Sequence, residues 1–121
     1  LRKYLADYVE NPDDFTPPRE WVYLMEEYYP GLKTLEERLA AHNIASESAA
    51  LGFMEFALDR LPEKMKKTID KISKDEFFHV TFGKTLLKKY CVTEEEQQRA
   101  YDATVEAMRI MREAREVFVN I

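Results

Sequence analysis

The chain has 121 residues, of which 34% are charged and 45% hydrophobic, with only three glycines and a net charge of -5. That length suits a single domain, residues 1–121, able to bury a core without staples, and the composition favours a soluble helical protein over disorder or an all-β fold. The acidic balance supplies no basic stripe for nucleic acid, no apolar run approaches the roughly 18 residues of a membrane span, and the lone Cys91 excludes an internal disulfide and suits a reducing, cytoplasmic setting.

Prolines divide the chain. Leu1 to Val9 carries Leu1, Leu5 and Tyr8 at helical spacing and ends before Asn11-Pro12. Because the chain opens inside this helix-like stretch, a preceding segment is one expectation. Thr16 is placed to cap a helix that has Pro17 at its first position and Trp21, Leu24, Met25 and Tyr28 along one face, until Pro30-Gly31 breaks it. Long helices are then expected over about 32–60 and about 62–90, the second ending in Lys84, Lys88 and Lys89, which suit the negative end of its dipole. Thr93 and Glu96 form a capping box for a third, over about 94–120. With no repeat and no strand-like alternation, the expected fold class is all-α, an antiparallel helical bundle.

The second long helix carries Glu76 and His79 in a Glu-x-x-His pair, and Glu47 stands at the mirrored position across the Leu61-Pro62 break. If the chain folds back there, each glutamate lies about 14 to 15 residues, or roughly 21 Å, from the turn, and the carboxylates meet at one height. At about 100° per residue, Glu76 and His79 fall inside the apolar arc of Met65, Ile69, Ile72, Leu86, Leu87 and Tyr90, with Gly83 at its centre. Glu47 lies inward between Asn43, Ala50, Leu51 and Met54, whereas Glu37, Glu55 and Asp59 point away. Three ionisable groups are thus expected on one dry seam. An unpaired buried carboxylate costs several kcal/mol, which leaves a metal, a cationic partner or protonation as ways out. A metal site and a structural Glu-His network both satisfy that condition.

Glu47, Glu76 and His79, with Asp75 before the glutamate, resemble the ferritin-like di-iron carboxylate superfamily, in which a bundle supplies a Glu and a Glu-x-x-His from each of two helix pairs. The likeness covers about residues 34–90. It implies Glu47 as a terminal ligand, Glu76 as a bridging ligand, His79 as the imidazole ligand, and Asp75, together with Asn43, as the residues that support them. Two departures stand out. Phe78 occupies the place where several members have arginine, and there is one ligand set only. Glu106, Glu113 and Glu116 project from the polar face of the last helix, and His42, about 140° around its helix from Glu47, reads as a partly exposed histidine.

The second ligand set must therefore come from a second copy in a two-fold homodimer, as in encapsulin-associated ferritin-like proteins, or from a missing half or partner chain that completes the four-helix core. The complete site would hold two iron ions, with manganese as the alternative, since mixed oxygen and nitrogen donors suit these better than a closed zinc site. The resemblance implies an oxidoreductase acting on O2 or peroxide: oxygenase, peroxidase or ferroxidase. The alternatives are an iron-handling ferritin-like protein and a non-catalytic interaction domain. Phe53, Phe77, Phe78, Phe82 and Tyr90 would wall a substrate pocket in an oxygenase or otherwise pack the core, and the tyrosines, Tyr4, Tyr28 and Tyr29 among them, are candidate electron relays.

Overall fold

The computed structural model describes residue 3 and residues 6–119, the side chains of 118 and 119 excepted. The described residues contain four helices and a 3-10 turn, Pro12–Asp14. Helix α1 spans residues 19–31, α2 spans 35–58, α3 is Glu63–Tyr90 and α4 is Glu94–Val119. No strand occurs among them, so the all-α expectation holds. Among the described residues no helix is long and apolar enough to cross a membrane.

Local chemistry sets the helix ends, with some departures from expectation. Leu1, Leu5 and Tyr4 lie outside the described residues, and residues 6–10 form turn and bend rather than helix. Helix α1 starts at Arg19 with extended Pro18 as its cap, not at Thr16. Consecutive prolines explain this, because each pushes the residue before it out of the helical region. Leu24 is buried and Tyr28 half-buried, but Trp21 and Met25 are exposed. The expected face slips because Leu24–Tyr28 is a π turn, in which Tyr29 N–H bonds the carbonyl of Leu24 five residues back. Pro30, which has no N–H to give, follows that wider turn, and the helix ends at Gly31.

Helix α2 begins with a capping box: Glu37 N–H donates to Thr34 Oγ1, and Thr34 N–H donates to Glu37 Oε2 at 2.9 Å. Glu37 therefore folds back on its own helix start instead of pointing away. The chain turns over residues 59–62 into antiparallel α3, as the Leu61-Pro62 break suggests. Thr93 and Glu96 form the expected box at the start of α4.

A second π turn, Leu39–Ser46, holds the middle of the fold. Ala40, Ala41 and Ala45 within it are buried, and it packs on α3 along one side and on α4 along another. Small residues allow both approaches. On α4 the buried positions are Ala100, Ala103, Ala107, Ile110 and Ala114. On α3 it is Gly83, where an added Cβ would stand 2.6 Å from Asn43 Cβ and 3.3 Å from Ile44 Cδ1. Leu32, Ala41, Ala45, Ala103 and Ala107 form the core cluster, with Tyr28, Tyr29 and Met111 against it. Tyr28 OH donates to the carbonyl of Ala103 at 2.9 Å, and Arg99 pairs with Glu36, tying α4 to α1 and α2. Helix α3 packs on α2, whereas α4 packs on α2 and α1. Among the described residues, Asp7 and Tyr8 meet the start of α3 at Lys64, and the side of α3 that carries Phe77, Phe78 and Phe82 is exposed.

Two predictions follow from this packing. Gly83→Ala gains helix propensity of up to about 1 kcal/mol, but the clash with a Cβ near the backbone of Asn43 cannot be relieved by a side-chain swing, and overpacking costs about 1–3 kcal/mol. Thermal unfolding should report a net loss of stability. The second concerns acid. Hydrogen bonds from the Thr34 backbone hold the Glu37 carboxyl below its usual range, and those from Thr93 and Val92 do the same for Glu96. A depressed folded pKa gives stability that is complete above the unfolded value, about 4.3, and lost as pH falls through the folded one. The Glu37→Gln, Glu96→Gln double variant should accordingly lose less melting temperature than the parent between about pH 5 and pH 2.

Candidate metal centre

Glu47 opens the α-helical part of α2, immediately after the π turn. Its backbone N–H bonds the carbonyl of His42, five residues back, and Ser46 Oγ donates to the carbonyl of Ala41 at 3.1 Å over the same interval. In this wider register, residues five apart stand much nearer the same face than in an α-helix. His42 is consequently beside Glu47, with Nδ1 at 3.5 Å from Glu47 Oε1, and the expected separation of about 140° around a regular α-helix does not apply. The histidine is half-exposed, as expected.

From α3, His79 Nδ1 reaches the same Glu47 Oε1 at 3.5 Å and lies 3.9 Å from Glu76 Oε2, one turn before it. One donor atom from each of Glu47, Glu76 and His79 lies within 4.8 Å of the others. The mirrored placement of the two glutamates thus brings them together at one height.

The seam is less dry than the helical pattern implies. Glu47 is 9% exposed, but the Glu76 side chain is 24% and that of His79 47% exposed. Among the described residues, Phe77, Phe78 and His79 on the far side of α3 are exposed, and of the two carboxylates it is Glu47, facing the π turn, that is enclosed. Burial pushes the Glu47 carboxyl above its usual range; the adjacent His79 and His42 pull it down, and Glu76 pushes it up again. Its Oε2 is buried without a hydrogen-bond partner. Tyr29 OH is the other such atom among the described residues, and the Tyr29 ring stands edge-on to His42, with centroids 5.1 Å apart. Burial first, then Tyr28 and Glu47, raise the Tyr29 phenol well above its ordinary range.

The supporting residues stand differently from expectation. Asp75 is exposed and makes no hydrogen bond to His79, because it points from the exposed side of α3. Asn43 is half-buried with its Cβ against Gly83, where it sets helix spacing. Glu106 and Glu113 clasp Arg109 and add nothing to the site. Phe53, Phe77, Phe78, Phe82 and Tyr90 neither fill the core nor wall a pocket: all are exposed, Phe78 by 65%. The cleft nearest the ligands, about 260 Å³, is lined by Tyr29, Pro30, Leu32, Arg38, His42 and Asn43. Two residues at the site, His42 and Tyr29, are therefore beyond what an α-helical wheel finds. A π turn in place of α leaves no mark in residue spacing.

The donor set is two carboxylates and an imidazole, without thiolate, on an open face. Such a set suits ferrous iron or manganese, and it lacks the closed tetrahedron of structural zinc. No family model, curated protein or solved structure matches the chain.

Glu47→Leu should be neutral to stabilising, by about 1 kcal/mol, in the metal-free protein, since it removes a buried carboxylate with an unsatisfied oxygen. The same variant should lose any rise in melting temperature that Mn(II) gives the parent. Differential scanning fluorimetry with and without the ion reads both, and a large destabilisation of the metal-free variant would contradict the first.

Proposed function

We propose that the protein is a dinuclear iron carboxylate redox protein, with manganese as the alternative ion, acting on O2 or peroxide through a site assembled from two half-sites. The observation that carries this reading is the convergence of Glu47, Glu76 and His79 donors within 4.8 Å around a buried carboxylate whose second oxygen has no partner. A cation satisfies that oxygen and offsets the desolvation of Glu47 more fully than two half-exposed imidazoles do.

One chain supplies too few donors for two ions. The second set comes from a second copy, since a two-fold interface duplicates every ligand and gives four carboxylates and two imidazoles from these residues. What supports a second copy is the exposed side of α3. The Phe78 ring lies 6.1 Å from the ring of His79 and 6.2 Å from that of Phe82, so an exposed aromatic patch runs directly on from the metal-ligating face. Apolar surface of this kind beside an incomplete site marks an interaction surface.

Two ferrous ions in such a centre supply two electrons to O2 or peroxide. The chain's own part is to hold the ions close together, with Glu47 enclosed on the π turn and Glu76 and His79 able to shift on the more open helix. The exposure of Phe53, Phe77, Phe78, Phe82 and Tyr90, which line no pocket among the described residues, favours small oxidants and ferrous ion itself as the species handled, and with them ferroxidase or peroxidase activity ahead of oxygenation of a bulky substrate.

The test is anaerobic ferrous loading, desalting and elemental analysis alongside mass in solution. The expected result is about one iron per chain in a dimer, lost in Glu76→Ala, followed by O2 consumption on exposure to air. Phe78→Asp, which sets a charge in the aromatic patch, should yield a monomer. Failure to retain iron or manganese in a dimeric preparation would overturn the reading.

A further inference from the structure

The π turn delivers a second imidazole to the carboxylate. His42 Nδ1 and His79 Nδ1 approach one oxygen, Glu47 Oε1, from two different helices, each at 3.5 Å. A charge-assisted hydrogen bond between such groups closes to about 2.7–2.9 Å. Both rings stand off farther than that. Two donors each about 2.1 Å from a common ion lie roughly 3.0 Å apart at a right angle and roughly 3.4 Å apart at the tetrahedral angle. Each nitrogen-oxygen pair therefore has nearly the separation of neighbouring ligands around one ion, and neither has that of a tight ion pair.

The placement of His42 is fixed by more than its side chain. The carbonyl of His42 accepts the Glu47 backbone N–H, and the Tyr29 ring stands edge-on against the imidazole. Glu47, the residue it faces, is nine-tenths buried and keeps Oε2 without a partner. The imidazole itself is half-exposed, so it can meet an ion without displacing packed side chains.

We propose that His42 is a further metal ligand of this chain, bonding through Nδ1 an ion that Glu47 Oε1 also binds. This rests on the metal-site reading above; since the donors within 4.8 Å of one another are those of Glu47, Glu76 and His79, His42 meets an ion on its own side of Glu47 Oε1, and the chain then offers two carboxylates and two imidazoles in all. A set richer in imidazole favours Co(II), Ni(II) and Zn(II) over Mn(II) more steeply than a carboxylate-rich one. The register of one helical turn thus decides both how many nitrogen donors the site has and which ions it prefers.

Co(II) titration of the full chain tests this, with His42→Ala and His42→Gln compared and helical circular dichroism confirming that both variants fold. Loss of His42 should weaken Co(II) binding by at least the effect of losing an outer-shell partner, about 10- to 100-fold, while Mn(II) binding falls less. In the proton NMR spectrum of the Co(II) form, the parent should show two exchangeable ring N–H signals shifted far outside the diamagnetic range, and each His42 variant one. Unchanged Co(II) affinity in the variants would overturn His42 as a ligand and leave the three-donor site standing. A single shifted ring in the parent, with weakened variants, would make His42 a positioning residue only and would also overturn the proposal. If the parent bound no Co(II) at all, the metal-site reading would fall with it.

Discussion

The hydrogen bond from Glu47 N–H to the carbonyl of His42 is the constraint on which the site depends. It widens the helix by one residue and rotates everything after it relative to everything before it. Without that turn, Glu47 and His42 would lie on different faces of α2. A π turn has poorer local geometry than an α turn and persists only where its surroundings hold it. Here the surroundings are small residues on both sides. Gly83 of α3 admits Asn43 of α2, and the alanine seam of α4 admits Ala41 and Ala45. The core is thin in large side chains, and close backbone approach takes the place of interdigitated bulk.

The electrostatics of the site are a consequence of that closeness. Burial is the largest influence on Glu47 and acts against its charge, while two neighbouring imidazoles act for it. The carboxylate is enclosed because the π turn sits deep, between two helices. The imidazoles are half-exposed because His79 stands at the edge of the contact between α3 and α2, and His42 at the rim of the cleft beside Tyr29. Enclosure on one side and access on the other is what an ion entering from solvent requires. A carboxylate with one oxygen between two imidazoles and the other unsatisfied is poised for a positive charge that the chain itself does not supply.

Much of the architecture was legible because it is written locally. The capping box at Thr93, the turn near Leu61-Pro62 and the mirrored glutamates follow from side-chain hydrogen bonding and rise per residue alone. The convergence of Glu47, Glu76 and His79 was legible for the same reason. The contact of His42 was not, since Leu39–Ser46 contains neither glycine nor proline and reads as ordinary α-helix. Its register is decided by packing against Gly83 and α4, which no local window contains. Helix α1 starts later than Thr16 and Pro17 suggest, because Pro18 holds the proline before it out of the helical region. The aromatic residues of α3 were misplaced because periodicity reports a face but not whether anything covers it.

That last point bears on the site itself. Helix α3 gives α2 a narrow strip, Met65, Val80 and Gly83 being its buried residues, and leaves Phe77, Phe78 and Phe82 in solvent. Three rings exposed within six residues are expensive for a monomer, since each forgoes a burial worth about 1.5–3 kcal/mol. They adjoin His79, which of Glu47, Glu76 and His79 is the least shielded by its own chain. A second copy seated on this face would bury the rings and bring its own Glu47, Glu76 and His79 opposite the first set, so that one contact would answer both deficits. The stable association of two proteins buries about 800 Å² on each side, and a helix the length of α3 offers a face of that order. If the proposed metal site is right, the aromatic patch and the single donor set would both be answered by one neighbour.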